Sequence, residues 1–307
     1  MQPIEMLIEN IEKVIVGKRS VIEQVVIALL CRGHVLLEDV PGTGKTMMVR
    51  ALSKSVSVDV KRLQCTPDLL PSDITGVPIY NQKTNEFEFR PGPIFTSLLL
   101  ADEINRATPR AQSALLECME EFRVSVDGLT YDLPPLFMVL ATQNPIDMAG
   151  TYVLPEAQLD RFLMKLSIGY PSLAEELNIM NAQNSKHPIE ALRSVISEKD
   201  ILQARQAVTR VEIHQNVAEY IATITSSTRT NPDLKLGVST RGTLALARAS
   251  KAYAYLKGRD YVTPDMVKIM APHVLIHRMI VKPEVAVVNK TAGHILKEIL
   301  DAVKPPL

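Results

Sequence analysis

Cysteine is scarce in this chain of 307 residues: Cys31, Cys65 and Cys118 stand far apart, odd in number and without a Cys-x-x-Cys pair. That argues against a disulfide framework or a zinc ribbon and leaves three small hydrophobes suited to a reducing cytosol. An excess of either charge is also missing. Lysine plus arginine total 34 and aspartate plus glutamate total 34, so no global field draws the chain to nucleic acid or to an anionic membrane. The longest apolar run, Val25–Cys31, falls far short of the roughly 20 residues a spanning helix needs. Glu5 and Glu9 stand where a secretory signal would carry basic charge. These absences lead us to expect a soluble, cytoplasmic protein without membrane insertion.

What the chain does have is a globular balance, 46% hydrophobic and 22% charged residues, in a length that accommodates two domains. Ile4, Leu7, Ile8 and Ile11 recur at helical spacing, and a second helix is expected from Ser20, where Ser-x-x-Glu has the form of a capping box. Short apolar runs at 34–38, 58–63, 97–101, 136–141 and 163–168 read as buried parallel strands, with helical segments between most of them. This alternation predicts a doubly wound α/β domain over residues 1–170, whose ligand lies beyond the carboxyl ends of the strands. Two hairpins interrupt it. Asp127-Gly128 signals a type I′ turn, pairing Val126 with Leu129, Val124 with Tyr131 and Arg123 with Asp132. In the other, Val77 and Ile79 are expected to face Phe87 and Phe89 across Asn81–Asn85. From residue 171 to 307 only helical patterns are visible, such as Val217, Tyr220, Ile221 and Ile224, and an all-α second domain is expected.

The segment Pro41-Gly42-Thr43-Gly44-Lys45-Thr46 follows an expected strand and opens an expected helix. Glycines in that context let backbone N–H groups curl around phosphate oxygens, and the helix N-terminus adds positive potential. Lys45 would reach the β- and γ-phosphates of ATP, and the Thr46 hydroxyl would ligate Mg²⁺. The usual first glycine of this loop is replaced by Asp39, which sits at the strand end, before the tightest part of the turn, and is expected to be tolerated. Ser97–Ala101 is an apolar strand that delivers Asp102 toward the same metal, with Glu103 next to it as base or orienting group for an attacking water. Arg106 follows close behind these acids. Leu140-Ala-Thr-Gln-Asn144 ends another apolar strand with an amide, which a parallel sheet would bring beside the γ-phosphate. His273 and His277 share a helical spacing, but the glutamate of a His-Glu-x-x-His zinc site is missing.

In order and spacing these segments, together with Val14–Gly17, Asp68–Gly76, Gly92–Phe95, Ala101–Ala107, Gln112–Leu116 and Leu154–Phe162, resemble the AAA+ ATPases of the MoxR family over about residues 14–280. The resemblance implies an AAA+ P-loop domain followed by an all-α lid, with an insertion near 74–93 and the 123–132 hairpin as a pre-sensor insertion. It implies that Asn144 is sensor 1, that Arg161 is an arginine finger reaching a neighbouring subunit, and that Arg241 is sensor 2. The family usually writes Ser-Pro-Arg at this last site, against Ser239-Thr240-Arg241 here. Val16 and Gly17 fall where family members line the adenine pocket. By the same resemblance the chain would be a hexameric Mg²⁺-ATPase with a protein client and a separate adaptor bearing a von Willebrand A domain. A nucleic-acid motor of the same branch is the rival class. Arg123 is the only basic residue of one hairpin, and Lys83 and Arg90 are the only ones of the other. A slow nucleotide-dependent switch is the third class.

Overall fold

A computed structural model describes residues 3–145, 150–182 and 188–306. Five parallel strands, β1 (Val35–Glu38), β2 (Val60–Gln64), β5 (Leu98–Asp102), β8 (Met138–Gln143) and β9 (Met164–Leu166), form one sheet in the order β2-β5-β8-β1-β9. Between them, β3 (Gly76–Asn81) pairs with β4 (Glu86–Pro91), and β6 (Arg123–Val126) pairs with β7 (Leu129–Asp132), as two antiparallel hairpins. Alternation along each central strand divides the core. Leu98, Leu100, Met138 and Leu140 face one way, into a cluster with Val35 and Leu37. Leu99, Ala101, Val139 and Ala141 face the other way, with Leu36. Continuous apolar strands of this kind are what a sheet covered on both faces requires.

Helices α1 (Pro3–Glu12), α2 (Arg19–Leu30) and α3 (Lys45–Val56) cover the first face, and α4 (Pro109–Glu121) covers the second. Ile4, Leu7, Ile8 and Ile11 form the buried stripe of α1, as their spacing predicts. The capping box expected at Ser20 is not formed. Helix α2 starts one residue earlier, with Lys18 as its N-cap and no side-chain cap. Glu23 is instead drawn to two cations, Arg19 at 3.4 Å and Lys257 at 3.1 Å.

His34, at the mouth of β1, joins the two faces. Its Nδ1 accepts from Val139 N at 2.9 Å and its Nε2 meets Met119 O at 2.9 Å, while its ring packs with Phe122 and Phe137. Burial pushes its pKa down to about 4, so the ring stays neutral. Burial likewise pushes the thiols of Cys31, Cys65 and Cys118 up to about 12, the behaviour of packing residues rather than nucleophiles.

The 123–132 hairpin has the expected register, with Val126 opposite Leu129 and Arg123 opposite Asp132 at 3.6 Å. Asp127 and Gly128 both have positive φ, 50° and 79°, as a type I′ turn demands. The other hairpin is shifted by one residue from expectation. Pro78 faces Phe89, Tyr80 faces Phe87, and Val77 and Ile79 lie opposite Arg90 and Glu88. Two features outside the strand pattern select this register. Gly76 and Gly92 approach so closely at the hairpin base that neither leaves room for a Cβ, and the Phe89 ring stacks on Tyr131 of the second hairpin at 4.3 Å. A one-residue slip exchanges the faces of every side chain, so this tertiary contact decides the whole strand.

Beyond the sheet lie α5 (Leu173–Ala182), α6 (Glu198–Arg210), α7 (Gln215–Thr230), α8 (Thr240–Leu256), α9 (Pro264–Leu275) and α10 (Ala292–Ala302). This half is helical with one correction: β10 (Leu234–Leu236) and β11 (Ile280–Val281) form a short antiparallel pair. Two or three residues are too few to leave a period in the sequence. Ile201, Ile221, Leu246 and Val274 join the same continuous core as Leu37 and Leu140, so these later helices and one sheet face share their apolar packing.

Candidate functional site

The candidate phosphate- and metal-binding residues Gly42, Gly44, Lys45, Thr46, Asp102, Glu103 and Asn144 gather around one cavity at the carboxyl ends of β1, β5 and β8. Gly42 and Gly44 have φ of 87° and 88°, with no heavy atom within 4 Å of where a Cβ would stand. Their requirement is therefore conformational, since only glycine enters this region without strain. Gly44 is the N-cap of α3, and Lys45 and Thr46 open that helix. The Lys45 ammonium donates to the carbonyls of Asp39 and Val40, both at 2.8 Å. It keeps a third proton for an anion inside the loop.

Asp39 does more than replace a glycine. It is buried, and its carboxylate accepts from Ser167 Oγ at 2.8 Å, Ile168 N at 2.6 Å and Gly169 N at 3.1 Å. It therefore fastens the segment after β9 to the start of the loop. The Asp39→Ala chain is expected to lose about 2–3 kcal/mol of stability, because two backbone donors lose their acceptor; denaturant titration of the two proteins checks this.

Two adjoining cavities meet at the loop. One of about 360 Å³ is bounded by Pro41, Lys45, Thr46, Asp102, Glu103 and Asn144. The other, about 230 Å³ and largely apolar, has Val16, Thr43, Met47, Ile168 and Ile179 in its walls. Gly42 and Gly44 border both. Gly17 stands beside this second cavity rather than in its wall; the Glu175 side chain crosses the space a Cβ on Gly17 would fill. A polar chamber beside an apolar one, with a glycine loop between, suits a triphosphate joined to a flat base.

The acids at the end of β5 are held from three sides. Thr142 Oγ1 donates to Asp102 Oδ1 at 2.6 Å and accepts from Glu103 N at 2.8 Å, fixing both residues to β8. Arg62 on β2 grips Asp102 Oδ2 at 2.6 Å. Glu103, in left-handed conformation at φ 56°, accepts from Arg106 at 3.1 Å and from Gln64 at 3.3 Å. Sequence reasoning missed Arg62, Gln64 and Thr142. Thr142 alone left a trace, being two residues before Asn144 and so on the same strand face.

Arg161 and Arg241 come together, but not at the loop. Arg161 Nε lies 3.0 Å from Glu120 Oε2, and Arg241 binds the other oxygen of the same carboxylate. They line a separate cleft, while neither loop cavity has an arginine in its walls among the described residues. Two further residues hold this cleft in shape. Ser239 caps α8, accepting from Gly242 N at 3.2 Å and donating to Asp160 at 2.8 Å, so Thr240 begins the helix in the place the family gives to proline. Arg278 is buried against Asp160 at 2.7 Å and donates to the carbonyls of Asp160, Phe162, Leu163 and Val274. Burial lowers its pKa, with Arg241 and Arg248 adding to the effect, while Asp160 opposes it.

The fold and this loop define a P-loop ATPase of the AAA class. Residues 34–164 match the family described as ATPase family associated with various cellular activities (AAA), and residues 226–299 match the AAA lid domain. The chain belongs to the MoxR family of these ATPases. It is 38% identical to Chaperone MoxR1 of Mycobacterium tuberculosis, over 99% of this chain and 82% of that one. It is also 55% identical to the uncharacterized protein YeaC of Bacillus subtilis, over 98% of this chain and 94% of that one. Among solved structures, an ATPase candidate from Cytophaga hutchinsonii superposes with a TM-score of 0.93 at 39% identity, covering 99% of this chain and 95% of that one.

Proposed function

We propose that this ATPase works as a ring, hexameric by resemblance, in which each site is completed by the next subunit and hydrolysis moves a protein client. The observation that carries this reading is the segregation of Arg161 and Arg241 onto Glu120, in a cleft that among the described residues shares none with the two cavities at the loop. A γ-phosphoryl transition state spreads negative charge over its oxygens and needs cations beyond a single lysine. A neighbouring chain is the natural source of the arginines, and on this reading both act in trans.

Within one chain, Gly42, Gly44 and the N-terminus of α3 would cradle the phosphates of ATP, and Lys45 would reach the β- and γ-groups. Thr46 and Asp102, a hydroxyl and a carboxylate bounding one cavity, offer the oxygen donors that Mg²⁺ takes, and the ion would neutralise charge on those two groups. Glu103 would orient the attacking water and Asn144 would align it. The water oxygen would bond to the γ-phosphorus as the bond from that phosphorus to the β–γ bridging oxygen breaks, ADP leaving with that bond's electron pair and the water's proton passing to Glu103 or a phosphate oxygen. Val16, with Gly17 beside it, would seat the adenine.

Residues 171–307 would rotate as a lid against residues 1–170 and pass the motion on. The word chaperone in the name of the Mycobacterium relative supports a protein client, and by resemblance an adaptor with a von Willebrand A domain would deliver it. Three free, buried cysteines suit a cytoplasmic setting.

Specific ATPase activity should rise with protein concentration and level off as rings fill. Turnover per chain that stays flat from nanomolar to micromolar concentration, in a protein that sediments as a monomer throughout, would refute the shared site.

A further inference from the structure

We infer that Arg32, aided by Arg248, is a further phosphate-binding residue of this ATPase, acting with Arg161 and Arg241 on the phosphate chain of a nucleotide held in the adjacent subunit. The inference rests on the shared-site reading and extends it to residues that no motif marks.

Among the described residues, the cleft around Glu120, about 210 Å³, is walled by five arginines and two carboxylates, Glu120 and Asp160. Asp160 is committed to Arg278, and Glu120 is divided between Arg161 and Arg241. Arg32 and Arg248 are exposed and have no carboxylate within 4.0 Å among the described residues. Their surplus charge has an electrostatic cost. The pKa of Arg205 is pushed down to about 10, first by burial and then by Arg32, and that of Arg278 falls first by burial and then through Arg241 and Arg248. Cations in excess of the acids beside them are the arrangement an incoming polyanion relieves. Arg241 and Arg248 lie seven residues apart on α8 and so share one helix face.

Arg32 carries the stronger evidence, because its backbone does not call for it. It follows the C-cap of α2 in a left-handed conformation, φ 53°, with Arg32 N donating to Leu29 O at 3.2 Å and Gly33 N to Ala28 O at 2.8 Å. In this helix ending the left-handed residue is glycine by preference, since any Cβ is strained there. An arginine at a helix C-terminus favours the helix dipole, the plainer explanation. Yet the turn already satisfies the carbonyls of Ala28 and Leu29, and among the described residues the Arg32 side chain makes no hydrogen bond. Its guanidinium instead lies 3.9 Å over the Phe122 ring, at the edge of the cleft. A planar cation resting on an aromatic face keeps its N–H edge free for a phosphate.

The backbone also supplies the control. In the full-length Arg32→Gly chain, the melting temperature is expected to hold or rise, because glycine relieves the strained φ. The KM for ATP is expected to rise about tenfold, and Arg32→Lys is expected to recover part of that loss through its charge alone. Addition of Glu103→Gln chains, whose own Arg32 is intact, should bring the KM of the Arg32→Gly loops back toward native. A native KM in Arg32→Gly, or a raised KM that the mixture leaves unchanged, overturns the inference.

Free phosphate has the same chemistry as a neighbour's nucleotide, so calorimetry with inorganic pyrophosphate separates the two sources. Binding to Lys45→Ala chains that disappears in Lys45→Ala/Arg32→Gly would make the cleft an independent anion site and overturn the neighbour assignment. Absence of such binding supports it. If Arg161→Ala and Glu103→Gln chains fail to complement, the shared-site reading itself falls. If they complement while Arg32→Gly behaves as native, only the role of Arg32 falls.

Discussion

Chains carrying Arg161→Ala are expected to lose ATP turnover by roughly 10³-fold, the lower end of what an arginine finger supplies, and to regain part of it when mixed with Glu103→Gln chains. The reason is geometric. Arg161 is held by Glu120, away from the cavity around Lys45, so its loss should leave its own loop intact and disable the loop it serves. Glu103→Gln has the reverse defect, a dead loop with working arginines. If the site is shared as proposed, an Arg161→Ala loop in a mixed assembly would meet an intact Arg161 and turn over. Turnover measured against mixing ratio should therefore pass through a maximum. A mixture no more active than its two parents would remove Arg161 from any neighbour's site.

Replacing Lys45 by alanine is expected to act at the other half of the site, as a defect in its own loop that no neighbouring chain can make good. The ammonium ties Asp39 and Val40 to the loop and, among the described residues, is the only lysine or arginine bounding the cavity of about 360 Å³. Removing one such donor from a phosphoryl-transfer site costs roughly 10²–10³ in rate, and nucleotide affinity should fall with it. Fluorescent-nucleotide binding and turnover would check both. Near-native affinity in Lys45→Ala would mean that the loop backbone alone holds the phosphates. Because Lys45→Ala leaves Arg161 and Arg241 untouched, these chains should still rescue Arg161→Ala, which makes the pair a second test of which residues act together.

Much of this site was legible along the chain because its parts are contiguous. The 41–46 loop, the acids after Ser97–Ala101 and the amide after Leu136–Ala141 each combine a strand with its carboxyl end, and a parallel sheet aligns such ends without further instruction. The 123–132 hairpin was legible for a similar reason: a two-residue turn sets the register locally. Where pairing depended on something distant, expectation failed. The 76–91 hairpin slipped by one because Phe89 stacks on Tyr131, and Ser20 gave up its cap while Glu23 joined Lys257.

Sequence alone determined that the chain builds a P-loop α/β domain, where its glycine loop and the two acids at the end of β5 stand, and that a helical lid follows. Tertiary structure decided how the charges are shared. It placed Arg161 and Arg241 on one Glu120, buried Arg278 against Asp160, turned Asp39 into a clasp on Ser167 to Gly169, and gave Asp102 its Arg62. Backbone motifs repeat at fixed spacing because dihedral preferences are local. An ion pair between positions 118 or 121 residues apart leaves no period in a sequence, and only the folded chain brings its two charges into reach.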